Sequence, residues 1–160
     1  MLLLTTLLCC SGLQASDIPL SKEELQQHQR FATWSGIEPD KWATLWLIKR
    51  YVAPDAYFSL VEPNTEMPAD ALAFGVPEVA IRRGNQQSMF RKLKNALALD
   101  GQELDYLDGI IHDVEVNIWD APAHKHSAWF ETLYRTLQAR YQRTEAVSYT
   151  HLTLPTICSV

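Results

Sequence analysis

The residues best equipped for chemistry in this chain are a few imidazoles and carboxylates and a small set of cations. In "IIHDVEV", His112 and Glu115 stand three apart, and on a helix that spacing sets both side chains on one side. So placed, an imidazole and a carboxylate can chelate a divalent metal ion, as Glu-x-x-His pairs do in helical di-metal sites with the order reversed. They can also move a proton near neutral pH, or make a structural hydrogen bond at the edge of an apolar stripe. His124 and His126 in "PAHKH" are two apart, a spacing that can grip a metal, although a solvated loop is the expectation. Lys41, Lys49, Arg50, Arg82 and Arg83 could converge on an oxyanion if the strand carrying Arg82 packs beside the helix carrying Lys41, with helix N-terminal amides assisting. Taken singly, each is a surface charge.

Familiar enzyme signatures do not accompany these groups. The sequence holds no Gly-rich phosphate loop, serine elbow, CxxC pair or HExxH motif. A net charge of -5 leaves no basic surplus to neutralise a phosphate backbone, so no nucleic-acid partner is expected. With 160 residues, 47% hydrophobic and 21% charged, the chain has the makeup of one ordinary globular domain.

The two ends read differently from the middle. "MLLLTTLLCCSGLQA", residues 1–15, carries an apolar run too short to span a bilayer and then small or polar residues, the grammar of a signal peptide. The expectation is an exported protein, periplasmic or secreted, with no transmembrane segment. "VSYTHLTLPTICSV", residues 147–160, breaks the helical pattern before it and resembles translated adapter sequence, so it is set aside as a non-native tail. Residues 16–146 then form the domain. Cys9, Cys10 and Cys158 fall outside it, which leaves no disulfide, thiolate metal site or cysteine nucleophile to propose.

The elements that must position the polar groups follow from spacing and caps. Ser21 and Glu24 have the capping-box form, predicting a helix from Lys22 to Phe31. Asp40 is placed to cap a second helix that buries Trp42, Leu45, Trp46 and Leu47 and ends before Pro54. Ala56 to Glu62 and Glu78 to Arg82 read as strands that could pair, with a short helix near Asp70 to Phe74 between them. A helix from Ser88 to Leu99 follows. Leu104, Leu107, Ile111, Val114 and Ile118 then mark an amphipathic helix broken by Pro122. Ser127 caps a last helix, with Phe130, Leu133, Tyr134, Leu137 and Tyr141 along one side. The predicted fold is α+β and mostly helical: a single small domain of about five helices and a two-stranded sheet.

Three ordered blocks carry a family resemblance. "DKWATLWLIKRYVAPDAYFSLV", "FGVPEVAIRRG" and "IIHDVEV" resemble the signature of the ChrB, or chromate-resistance, domain family. The matching positions include Asp40, Trp46, Leu47, Ile48, Arg50, Pro54, Asp55, Phe58, Phe74, Pro77, Arg83, Gly84, His112 and Glu115. The family carries Cys-Pro where this chain has Thr44-Leu45, and His where it has Arg82. The resemblance implies an exported, chromate-resistance-associated protein that binds a small inorganic ion, either a metal ion or an oxyanion. His112 and Glu115 are then the metal candidates, and Asp40, Trp46, Arg50, Asp55, Arg82 and Arg83 the ligand-binding ones, with a divalent metal ion as the conceivable cofactor. Two alternatives stay open: a small hydrolase- or redox-type enzyme with His112 as acid or base beside Asp40, Asp55 or Glu115, and a non-catalytic sensor or interaction domain with a degenerate site. The oligomeric state is not legible.

Overall fold

The computed structural model describes residues 20–141; the expected signal peptide, the tail at 147–160 and all three cysteines lie outside them. Helix α1 (Lys22–Gln27) opens with the predicted capping box: the Glu24 amide donates to Ser21 Oγ at 3.2 Å and the Ser21 amide to Glu24 Oε2 at 2.7 Å. It stops at Gln27, short of the predicted Phe31, because the chain straightens into strand β1 (Arg30–Trp34). Phe31, Ala32 and Thr33 are all fully buried. A central strand covered on both faces shows no polar alternation, which is why "RFATW" did not read as a strand.

Strand β2 (Tyr57–Val61) lies parallel to β1 on one side, with Phe31 opposite Phe58, and β3 (Leu72–Ala73) lies parallel on the other, with Phe31 opposite Leu72. The sheet is therefore three-stranded, in the order β2-β1-β3, rather than two-stranded. The expected strand at Glu78 to Arg82 contracts to an isolated bridge between Phe74 and Ile81. The expected short helix near Asp70 to Phe74 is instead the place of β3.

Parallel neighbours need a crossover between them, and helix α2 (Pro39–Leu47) supplies it between β1 and β2, running on into a π-helical turn (Ile48–Val52). Pro39 suits the first helical turn because its missing N–H would have had no partner there. The wide turn closes with the Ala53 amide donating to the Ile48 carbonyl at 2.9 Å, just before Pro54. Phe31 stacks on Phe58 at 5.5 Å between ring centroids, and Phe74 meets Phe58 edge-on at 6.5 Å. These rings join Leu45, Leu47, Ile48, Phe90 and Leu93 in the core.

Helix α3 (Met89–Ala96) is capped by Ser88, whose Oγ accepts from the Arg91 amide at 3.0 Å. Helix α4 (Gln102–Glu115) buries Leu104, Ile111 and Val114 as its spacing predicts. It ends before Ile118, which is exposed rather than part of the buried stripe. Helix α5 (Ser127–Tyr141) packs chiefly on α4. One supporting helix covers one narrow strip, so Tyr134 is buried while Leu133 and Leu137 stay exposed. The result is an α+β domain dominated by helices, in which no helix of the described residues is long and apolar enough to cross a membrane.

Candidate functional site

A surface cavity of about 270 Å³ opens beyond the C-terminal ends of β1 and β3, lined by Glu38, Asp40, Gly75, Val76, Pro77, Arg82, Arg83 and Met89. In open parallel sheets a crevice forms beyond the carboxyl ends of the strands where the strand order reverses, here between β1, whose connection runs through α2 to β2, and β3 on its other side. Gly75 shapes the floor. Its φ of +68° is left-handed, and a Cβ there would stand 3.2 Å from both Thr33 Oγ1 and Met89 Cε, so glycine is favoured on backbone and steric grounds.

Asp40 is the hub beside the cavity. It was expected to cap its own helix, but α2 begins at Pro39 after Glu38, and the Asp40 carboxylate caps α3 from across the core. Oδ2 accepts from the Met89 amide and Oδ1 from the Phe90 amide, both at 2.8 Å, and Arg83 Nε donates to Oδ2 at 3.2 Å. The reason is depth: Asp40 is fully buried, and a buried carboxylate needs several donors. Burial raises its pKa above the ordinary carboxylate value, against the opposing pull of the Phe90 and Met89 amides and the Arg83 guanidinium.

Arg83 joins Asp40 to the end of α4. Its Nη2 pairs with Glu115 Oε2, its Nη1 donates to the Glu115 carbonyl at 3.5 Å, and the Asp40 amide donates to Glu115 Oε1 at 3.4 Å. Three segments distant in sequence thus meet at one guanidinium. A family model described as "ChrB, C-terminal domain" matches residues 31–154, a span that includes every member of this cluster. The chain belongs to the ChrB C-terminal domain family.

That membership makes it a chromate-resistance-associated protein. The match overlaps the segment 147–160 as well as the domain. No curated protein and no solved structure matches the chain. In this ChrB domain the Cys-Pro positions of the family signature are both core: Thr44 and Leu45 are buried, and Thr44 Oγ1 has no hydrogen-bond partner among the described residues. Arg82, in place of the family's histidine, is exposed at the cavity rim.

The predicted site residues divide into two groups. Asp40, Arg82, Arg83 and Glu115 come together around the cavity. Trp46, Arg50 and Asp55 sit toward the other end of the crossover, and Arg50 lies about 15 Å along the helical axis from Asp40 at the usual rise per residue. Trp46 packs edge-on against Tyr51 at 5.8 Å between centroids; Arg50 and Asp55 are exposed. His112 lies one turn before Glu115 and is half-buried. Among the described residues, no group of three or more His, Cys, Asp or Glu side chains is placed to hold a metal ion. Glu38 was missed by sequence reasoning. It lines the cavity and pairs with Lys41 at 2.7 Å, and its position just before Pro39 was the available signal.

The "PAHKH" histidines are more ordered than a solvated loop. His124 Nδ1 lies 2.9 Å from Asp113 Oδ2, which also accepts from the His124 amide at 2.9 Å and Ser127 Oγ at 2.7 Å. Tyr106 stands between the two imidazoles, its hydroxyl 3.0 Å from His126 Nδ1. Burial alone would raise the Asp113 pKa, but the hydrogen bonds from Ser127 and His124 outweigh it and hold the carboxyl down to about 2.

Proposed function

We propose that this ChrB domain binds a small tetrahedral oxyanion, with chromate the first candidate, in the cavity bounded by Arg82 and Arg83. An imbalance of charge carries the reading. Glu38 is matched by Lys41, Asp40 by two amides and Arg83, and Glu115 by Arg83, whereas Arg82 has no acidic partner among the described residues. A cation entering the cavity would have to break pairs already made. An anion meets an unmatched, permanently charged guanidinium able to donate two hydrogen bonds at once. The role is binding rather than turnover, since the carboxylates nearby are all engaged as acceptors.

Titration calorimetry on the purified domain with chromate, sulfate and divalent zinc or nickel tests this. Chromate and sulfate should bind, and Arg82→Ala should weaken them by tenfold or more, the worth of one charge-assisted hydrogen-bonding pair, about 1.5–3 kcal/mol. Binding of neither anion would overturn the oxyanion reading, and binding of a divalent metal that is lost in His112→Ala and Glu115→Gln would replace it with the metal one.

A further inference from the structure

The Arg83 guanidinium has both of its hydrogen-bonding edges engaged while it lines the cavity. Nε faces Asp40, and the Nη1 and Nη2 side faces the carbonyl and carboxylate of Glu115. A tetrahedral anion that takes a two-pronged grip on Arg83 must therefore displace one carboxylate. The two are not equally held. Asp40 is fully buried and fastened by two amides at 2.8 Å, but among the described residues the Glu115 carboxylate has, apart from Arg83, a single 3.4 Å contact with the Asp40 amide. Glu115 is the one that can leave.

Its position gives the exchange a consequence. Glu115 is the last residue of α4, where a negative side chain is disfavoured by the carbonyl end of the helix dipole. Arg83 corrects this twice, by pairing with the carboxylate and by donating to the Glu115 carbonyl. We infer that Glu115 is an internal competitor for the anion site, and that an oxyanion drawing Arg83 into the cavity releases Glu115 and unlatches the C-terminal turn of α4. The inference rests on the oxyanion reading above and adds the regulation of that site. Occupancy of the cavity is thereby coupled to the segment leaving α4, where Ile118 and Trp119 are exposed.

Glu115→Gln tests the competition, because glutamine keeps the shape and the acceptor for the Asp40 amide while removing the charge. Chromate should bind the variant about fivefold more tightly, the lower end of ordinary coupling between sites, whereas a glutamate that merely supported the pocket would give weaker binding. Amide hydrogen exchange on the unmodified protein supplies a second measure: saturating chromate should speed exchange at residues 113–117. Binding that depends on Arg82, with affinity unchanged or weakened in Glu115→Gln and exchange at 113–117 unaltered, overturns the latch alone. Failure of the unmodified protein to bind chromate or sulfate overturns the oxyanion reading and the latch together.

Discussion

Two aspartates, Asp40 on α2 and Asp113 in the last turn of α4, do the same local job with opposite electrostatic results. Each lies on one helix and uses its carboxylate to fasten the start of another, Asp40 the start of α3 and Asp113 the start of α5. Asp40 is at zero exposure and its pKa is raised by burial; Asp113, at 8% exposure, is held down to about 2. The difference teaches that donor count alone does not settle the charge state of a buried acid. Asp40 has lost all its water and needs Arg83 as well as two amides, while Asp113 keeps a solvent-facing fringe and is satisfied by three dipolar or imidazole donors. Arg83 is thus held at the cavity by the same carboxylate that makes the cavity electrostatically costly.

Removing the deeper acid should have the larger effect. Asp40→Ala leaves the Met89 and Phe90 amides buried without acceptors and takes a partner from Arg83, so we expect a loss of about 3–4 kcal/mol in urea unfolding. A loss below about 1 kcal/mol would mean that water replaces the carboxylate and the contrast with Asp113 fails.

Asp113 should matter through pH. Its folded pKa lies below its unfolded one, so its contribution is complete above about pH 4 and is lost as pH falls toward 2, amounting to about 2 kcal/mol at neutral pH. Comparing the unmodified protein with Asp113→Asn across that range should show the gap closing as acid is added. Asp40 has the opposite sign: its raised pKa favours the protonated folded form, so its contribution is present below the unfolded pKa and is lost as pH rises through the folded value. A gap for Asp113→Asn that stays constant down to pH 2 would remove the distinction between the two acids.

The smallest effect sharpens the geometry of the Asp113 end. Gly109 lies inside α4, where alanine would ordinarily gain about 1 kcal/mol. A Cβ there would overlap His124 Cε1 and Nε2, so Gly109→Ala should instead destabilise by about 1 kcal/mol. In a His124→Ala background the same substitution should become stabilising. Equal effects in the two backgrounds, measured by thermal unfolding, would show that the imidazole does not occupy that space.

The sequence disclosed what depends on near neighbours. The Ser21 capping box, the stripe of α4, the α3 helix and β2 are all set by residues a few positions apart, and each appears close to where spacing predicts. β1 was hidden because its burial on both faces comes from partners that arrive much later in the chain. The site was half legible for the same reason. Asp40, Arg83 and Glu115 stand out as residues of the family signature, but the role of Asp40 at α3 depends on an approach across fifty positions. His124 looked like loop because its partner, Asp113, lies across the turn between α4 and α5.

The parallel sheet bears on how the chain reaches this structure in time. No two of its strands form a hairpin: Arg30 pairs with Tyr57, and Phe31 with Leu72. Every strand contact must therefore wait for a long loop to close, which slows folding relative to a bundle built on local contacts. The helices can form on their own schedule, but the cavity cannot, because its floor is made by residues that follow β3 and its walls by the first turns of α2 and α3. The cavity is assembled last, by the same late event that completes the core.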